Sequence, residues 1–256
     1  MKNNQRGATL VVVLIFLVAI TVIGTLAIRQ SMLALNIATN SQVQQLLTQN
    51  SDSAFFQIEV PSNLGVSLAG SGMFGYISNK SDKDKELVFC YRGDQTSFFD
   101  ISRASMVQWK EGATSLTNND FGIAGYCDAT VQDTNWFTSG RRAVLTQVSV
   151  KFPTQSTGGP FSNRISGVDG QVSKFEDSKP VKVFAVSIMP SISSASRSDI
   201  NDCLRTKMND VTIPTNVSPS TVSDANKQDV TACLKGLNVP FTTQVNEYVL
   251  AQQSTS

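Results

Sequence analysis

The feature that most constrains this chain is a run of twenty-one residues, Ala8 to Ile28, without a single charge. It holds seventeen apolar residues, three threonines and Gly24. As a helix it spans about 31 Å, close to the hydrocarbon thickness of a bilayer. Threonine hydroxyls bond back to helix carbonyls, so they are tolerated in lipid. Lys2 and Arg6 precede the run, which predicts a cytoplasmic N-terminus and an exported body. A secretory signal has an apolar core of about 7–15 residues and a small-x-small cleavage site. This run is longer, and its far end, TLAIRQ, makes a poor cleavage site.

The helical pattern continues beyond Arg29. No proline occurs before Pro61, and no glycine lies between Gly24 and Gly65. Met32, Leu35, Val43, Leu46, Leu47, Phe55 and Ile58 recur at three- and four-residue steps, predicting a patchy apolar stripe. Ser and Asn clusters at 39–41 and 50–53 are expected to loosen it locally. The prediction is one long helix, with a transmembrane half over 8–28 and an amphipathic half over 29–60.

The residues QRGATLVVVLI resemble the N-terminus of type IV pilins and the related pseudopilins. Those proteins carry a short basic leader ending in glycine, then a small or aromatic residue, Thr or Ser, Leu, and an apolar helix. The resemblance implies a leader over 1–7 cut after Gly7 by a prepilin peptidase. Ala8 then becomes the N-terminus and is N-methylated. The stem is most similar to PilX-type minor pilins, which also resemble the K-type pseudopilins of type II secretion. The resemblance is strong over residues 1–60 and faint beyond.

One position departs from the major pilins, which place a glutamate fifth after the cleavage. Here that position is Val12. In the family this glutamate is thought to pair with the terminal amine of a neighbouring subunit. A carboxylate in lipid costs several kcal/mol unless paired, so it is retained only for a partner. A subunit without it has no demand to dock beneath an existing neighbour and is free to sit first, at the tip. The alternative is that Val12 is apolar filler on a plain membrane anchor.

The body is read on its own. Residues 60–86 are a connecting region with short apolar patches. Its Gly70-x-Gly72-x-x-Gly75 spacing lacks the flanking strand and helix of a nucleotide site. Strands are predicted over 87–91, 97–102, 105–110, 143–152 and 181–189, with a final strand over 242–253. Turn-rich loops separate them, above all 153–180, where Phe161 and Phe175 are candidate anchors. Two echoing segments, RSDINDCLRTK (197–207) and KQDVTACLKGL (227–237), predict short helices with like faces. Ser198 and Asn226 are their cap candidates. The fold class is α+β, with the long helix packed on an antiparallel sheet and a helical C-terminal subregion. The boundaries are a β-rich body over 61–192 and a helical pair plus final strand over 193–256.

Cys90, Cys127, Cys203 and Cys233 form no CxxC, and the chain has no histidine, which disfavours zinc. Behind an export-type segment they predict two disulfides. Three pairings are possible. The nearest-neighbour pairs, Cys90–Cys127 and Cys203–Cys233, are preferred, each stabilising by roughly 3–4 kcal/mol.

The absence of histidine also removes the usual general base. No enzyme activity and no cofactor are expected. Lys and Arg number 21 against 20 Asp and Glu, scattered along the chain, so no nucleic-acid footprint is predicted. Asp82, Asp84 and Glu86 alternate with Lys80, Lys83 and Lys85, which favours a solvated loop over a calcium site. Arg92-Gly93-Asp94 reads as a turn. Trp109 and Trp136 read as core or interface.

The resemblance, with Val12 at the departing position, implies a minor pilin that helps initiate type IV pilus assembly at or near the tip. Its expected partners are other minor pilins, the major pilin, a tip adhesin and the prepilin peptidase. Its expected location is the bacterial inner membrane with a periplasmic body, then the extracellular pilus. Motility, adhesion and DNA uptake are what the resemblance implies. The alternatives are a K-type pseudopilin or a binding module in its own right.

Overall fold

The computed structural model describes residues 6–78, 85–93, 95–118, 125–130, 137–138, 142–152 and 179–250. The first helix, α1, runs Arg6–Glu59 without interruption. The polar clusters inside it do not break it. Thr39 Oγ1 and Asn50 Nδ2 bond to the carbonyls of Leu35 and Leu46, four residues back. Ser51 is buried and shares a 2.7 Å hydrogen bond with Ser187. What ends α1 is Pro61, which disfavours a helical residue before it. Val60 is extended, and Pro61 opens a second helix, α2, over Pro61–Leu68. The sequence pattern predicts a connector here, because Gly65 and two serines dilute its helical periodicity.

Two compact units result, Met1–Gln45 and Leu46–Ser256, with the boundary inside α1. Among the described residues the second unit is built on a sheet of six strands: β1 (Glu86–Tyr91), β2 (Ala104–Trp109), β3 (Leu116–Thr117), β4 (Leu145–Lys151), β5 (Lys179–Ile188) and β6 (Phe241–Leu250). Their order is β3-β2-β1-β4-β5-β6, and every neighbouring pair is antiparallel. The register sets Phe89 opposite Val148, and Val148 opposite Ala185.

Both faces of the sheet are covered, except along β6, where Val245, Glu247 and Val249 stay exposed on the face away from α1. On one face Leu87, Phe89, Met106, Val148, Val150, Val181 and Val183 join Ala54, Phe55 and Ile58 of α1. Met73, Phe74 and Ile77, just after α2, complete that layer. The other face is covered by the C-terminal part of the chain, which includes α3 (Arg197–Thr206) and α4 (Val230–Gly236). Leu145, Val186 and Ile188 meet Ile200, Leu204, Val230 and Leu234 there. Val88, Val107 and Trp109 meet Met208, Val217 and Val222. A strand covered on both sides need not alternate, which explains the imperfect pattern over 143–152.

Residues 97–102 are not a strand. Asp100 accepts bonds from the backbone and hydroxyl of Ser102 and caps a 3-10 turn over Ile101–Arg103. Phe98 and Phe99 supply aromatic contacts to Phe89 from that loop. Aromatic content mimicked a strand; the Asx turn decided the backbone. The helix caps also differ from expectation. Ser196 caps α3 and Asp229 caps α4, each accepting the N–H three residues on.

The glycine spacing of 70–75 has a packing cause. A Cβ on Gly72 or Gly75 would collide with the backbone carbonyls of Val66 and Ala69. Gly72→Ala or Gly75→Ala is therefore expected to cost about 1–3 kcal/mol, measurable as a lower thermal midpoint.

Candidate functional site: an apolar stem

The chain's most unusual surface is the N-terminal part of α1. Every large apolar side chain from Leu10 to Ile28 leaves at least half of its surface bare. They surround the helix rather than lining one side. A helix apolar on all sides needs lipid or other helices around it. Thr21 and Thr25 donate their hydroxyls to the carbonyls of Val18 and Val22 at 2.8 and 2.9 Å. Both hydroxyl protons are thereby used within the helix, which suits a dry surrounding. By length and composition this helix is able to cross a membrane.

The apolar surface does not stop at Arg29. Met32, Leu33, Leu35 and Ile37 are also exposed, each by 62–67%. The spacing predicts Met32 and Leu35 in a stripe against a packing partner, yet among the described residues both are left about two-thirds exposed. The buried positions of that stripe begin with Val43 and continue through Leu47, Phe55 and Ile58. From Ala8 to Ile37 the stem is about 45 Å long, exceeding the roughly 30 Å of a hydrocarbon core.

Val12 lies on the stem and is 50% exposed. Arg6, Gly7 and Ala8 form the first described turn of α1. Lys2 lies outside the described residues.

The other residues singled out in the sequence have structural roles or lie outside the described residues. Cys90 is bridged to Cys127, and Cys203 to Cys233. The first bridge ties β1 to residues 125–130. That segment is held again by Gln147 Oε1, which accepts the Cys127 N–H, and by Asn201 Oδ1, which accepts that of Ala129. The second bridge joins α3 to α4.

Glu86 is not part of a solvated loop. It is fully buried, and its carboxylate accepts the backbone N–H groups of Asn209 and Asp210 at 3.0 and 2.8 Å. Burial pushes its carboxyl above the usual range, opposed by the Lys151 charge and those two N–H groups. Asp82, Asp84, Asp94, Trp136, Phe161 and Phe175 lie outside the described residues. Trp109 is core. Among the described residues no cluster of His, Cys, Asp or Glu is arranged to hold a metal. The Glu86 site was illegible in sequence, because its partners lie more than a hundred residues downstream.

Residues 6–56 match the family model of the PilX N-terminal region. The stem is pilin-like. No curated protein and no solved structure matches the chain. The matched residues contain the whole apolar stem and the first part of α1 that packs in the body. The pilin-like stem thus joins a body that is α+β, with an antiparallel sheet and two disulfides.

Proposed function

We propose that this protein is a minor pilin that helps initiate a type IV pilus and sits at or near its tip. It acts by packing, not by catalysis. The observation that carries this reading is the apolar surface extending from the membrane span to Ile37. Lipid covers about twenty residues of such a helix. The remaining turns, with Met32, Leu33, Leu35 and Ile37, need protein around them. A filament core of parallel stems supplies it, and a monomeric anchor does not.

In this reading residues 1–7 are a leader, cleaved between Gly7 and Ala8 by a prepilin peptidase. The leader charges Lys2 and Arg6 hold the N-terminus in the cytoplasm. The stem waits in the inner membrane, then enters the filament beside other minor pilins and the major pilin. Val12 supports the tip position, because it makes no ionic demand on a subunit above it.

Deletion of the gene is expected to reduce surface pili strongly, with the protein recovered in the sheared filament fraction of the wild type at far below one copy per major subunit. Intact pili with lost protein secretion would instead assign the chain to a K-type pseudopilin. Neither defect, with the protein absent from sheared filaments, would overturn assembly as its role.

A further inference from the structure

β6 is the last strand of the sheet, and among the described residues it pairs only with β5. It is ten residues long, contains no proline or lysine, and carries one charge, Glu247. Natural edge strands are normally blunted by such residues, by bulges or by cover. Beside this edge runs α1, and between them lies a groove of about 550 Å³ lined by Asp52, Phe55, Phe56 and Glu59 of α1 and by Gln244, Val245 and Asn246 of β6.

The groove has a definite chemistry. Its two charged residues are both carboxylates. Asp52 accepts the Gln244 amide N–H at 2.8 Å, and Glu59 accepts the Tyr248 hydroxyl at 3.1 Å. Each carboxylate keeps further lone pairs for other donors. Because the Gln244 amide nitrogen is committed to Asp52, its Oε1 points elsewhere, and that oxygen is buried with no partner. Phe56, on the outward side of α1, is 67% exposed. An exposed ring between two carboxylates is a platform for a cation and its alkyl stem.

The opposite side of the same edge is apolar. Gln244 and Tyr248 face α1, so Val245 and Val249 point to the other face of the sheet. Both are exposed, Val249 by 67%. Glu247 between them is already paired with Lys182 at 3.7 Å. A strand added to β6 would therefore meet acceptors and an aromatic ring on one side and valines on the other.

We propose that this edge receives an extended segment of another protein, added as a seventh strand, with Lys or Arg side chains facing α1 and apolar side chains alternating on the other face. Backbone pairing supplies affinity, and the alternation supplies specificity. The site lies wholly within the body and stands independently of the stem's role.

The test uses the full chain in detergent micelles and three capped ten-residue peptides. One alternates Lys with Val, one alternates Glu with Val, and one is the Lys–Val peptide with N-methyl groups at every second residue. The Lys–Val peptide is expected to bind in fluorescence anisotropy and to slow amide exchange over 241–250. The Glu–Val and N-methylated peptides should bind at least about tenfold more weakly, as lost charge pairing and lost strand pairing require. The double change Asp52→Asn and Glu59→Gln retains acceptors for Gln244 and Tyr248. It should weaken Lys–Val binding about fivefold or more without lowering the thermal midpoint. Equal binding of the N-methylated peptide, or exchange protection elsewhere than β6, would overturn the proposal. So would self-association of the chain through β6 with no peptide binding.

Discussion

Lys151→Met is expected to destabilise the body by about 3–5 kcal/mol at pH 7, and by clearly less at pH 5. Lys151 lies on β4 with only 1% of its surface exposed. Its ammonium donates to the Asp210 carbonyl and, at 2.6 Å, to the Thr212 hydroxyl. Glu86 on β1 holds the same downstream segment through the N–H groups of Asn209 and Asp210. The two side chains lock residues 209–212 onto the sheet face. In the wild type, burial already raises the Glu86 carboxyl above its ordinary value of 4.5, and Lys151 is the foremost opposing influence.

A carboxyl raised on folding contributes stability that is fully present below its unfolded pKa. That contribution is lost as pH rises through the folded value. Removing Lys151 raises the carboxyl further, so the loss widens toward neutral pH and narrows in acid. Chemical unfolding of both proteins at pH 5 and pH 7 measures this. An equal loss at both values would mean that Lys151 acts only through its hydrogen bonds to Asp210 and Thr212.

The second large effect belongs to the C-terminal staple. Replacing Cys203 and Cys233 together by serine should cost about 3–4 kcal/mol, since the bridge closes a loop of thirty-odd residues. The bridged positions are separated by 30 in sequence. α3 has ten residues and α4 seven, both too short to persist alone. Their apolar faces, with Ile200, Leu204, Val230 and Leu234, must stay on Val186 and Ile188 to exist as helices. Thermal unfolding should show the loss, and limited proteolysis should open first between α3 and α4. A loss under about 1 kcal/mol would mean that apolar contact alone holds the pair.

Sequence patterns revealed the long helix, the sheet and the paired C-terminal helices because each carries a local signal. An uncharged run, β-rich segments and a repeated Asp-Ile/Val-x-x-Cys-Leu echo need no tertiary knowledge. What escaped depends on distant partners. Glu86 sits in an alternating charged stretch, and only its meeting with residues 209 and 210 makes it a buried latch. Residues 97–102 look like a strand by composition, but the Asp100 side chain turns the backbone first. α2 was hidden because its proline reads as a break, although a proline is well suited to a helix's first turn.

On the stem, sequence spacing could not tell which apolar residues serve the body and which serve other molecules. Met32 and Leu35 share the spacing of Val43 and Leu47, yet only the latter two are buried in the chain. The groove beside β6 had no sequence signature either. It arises from a strand edge and a helix whose residues are nearly two hundred positions apart.

The most direct measurement is the intact mass and N-terminal fragment of the protein isolated from membranes of its own host. A chain beginning at Ala8, heavier by one N-methyl group, is the predicted result. A chain that still begins at Met1, or one that starts near Arg29 with the stem gone, would contradict assembly through a pilin stem.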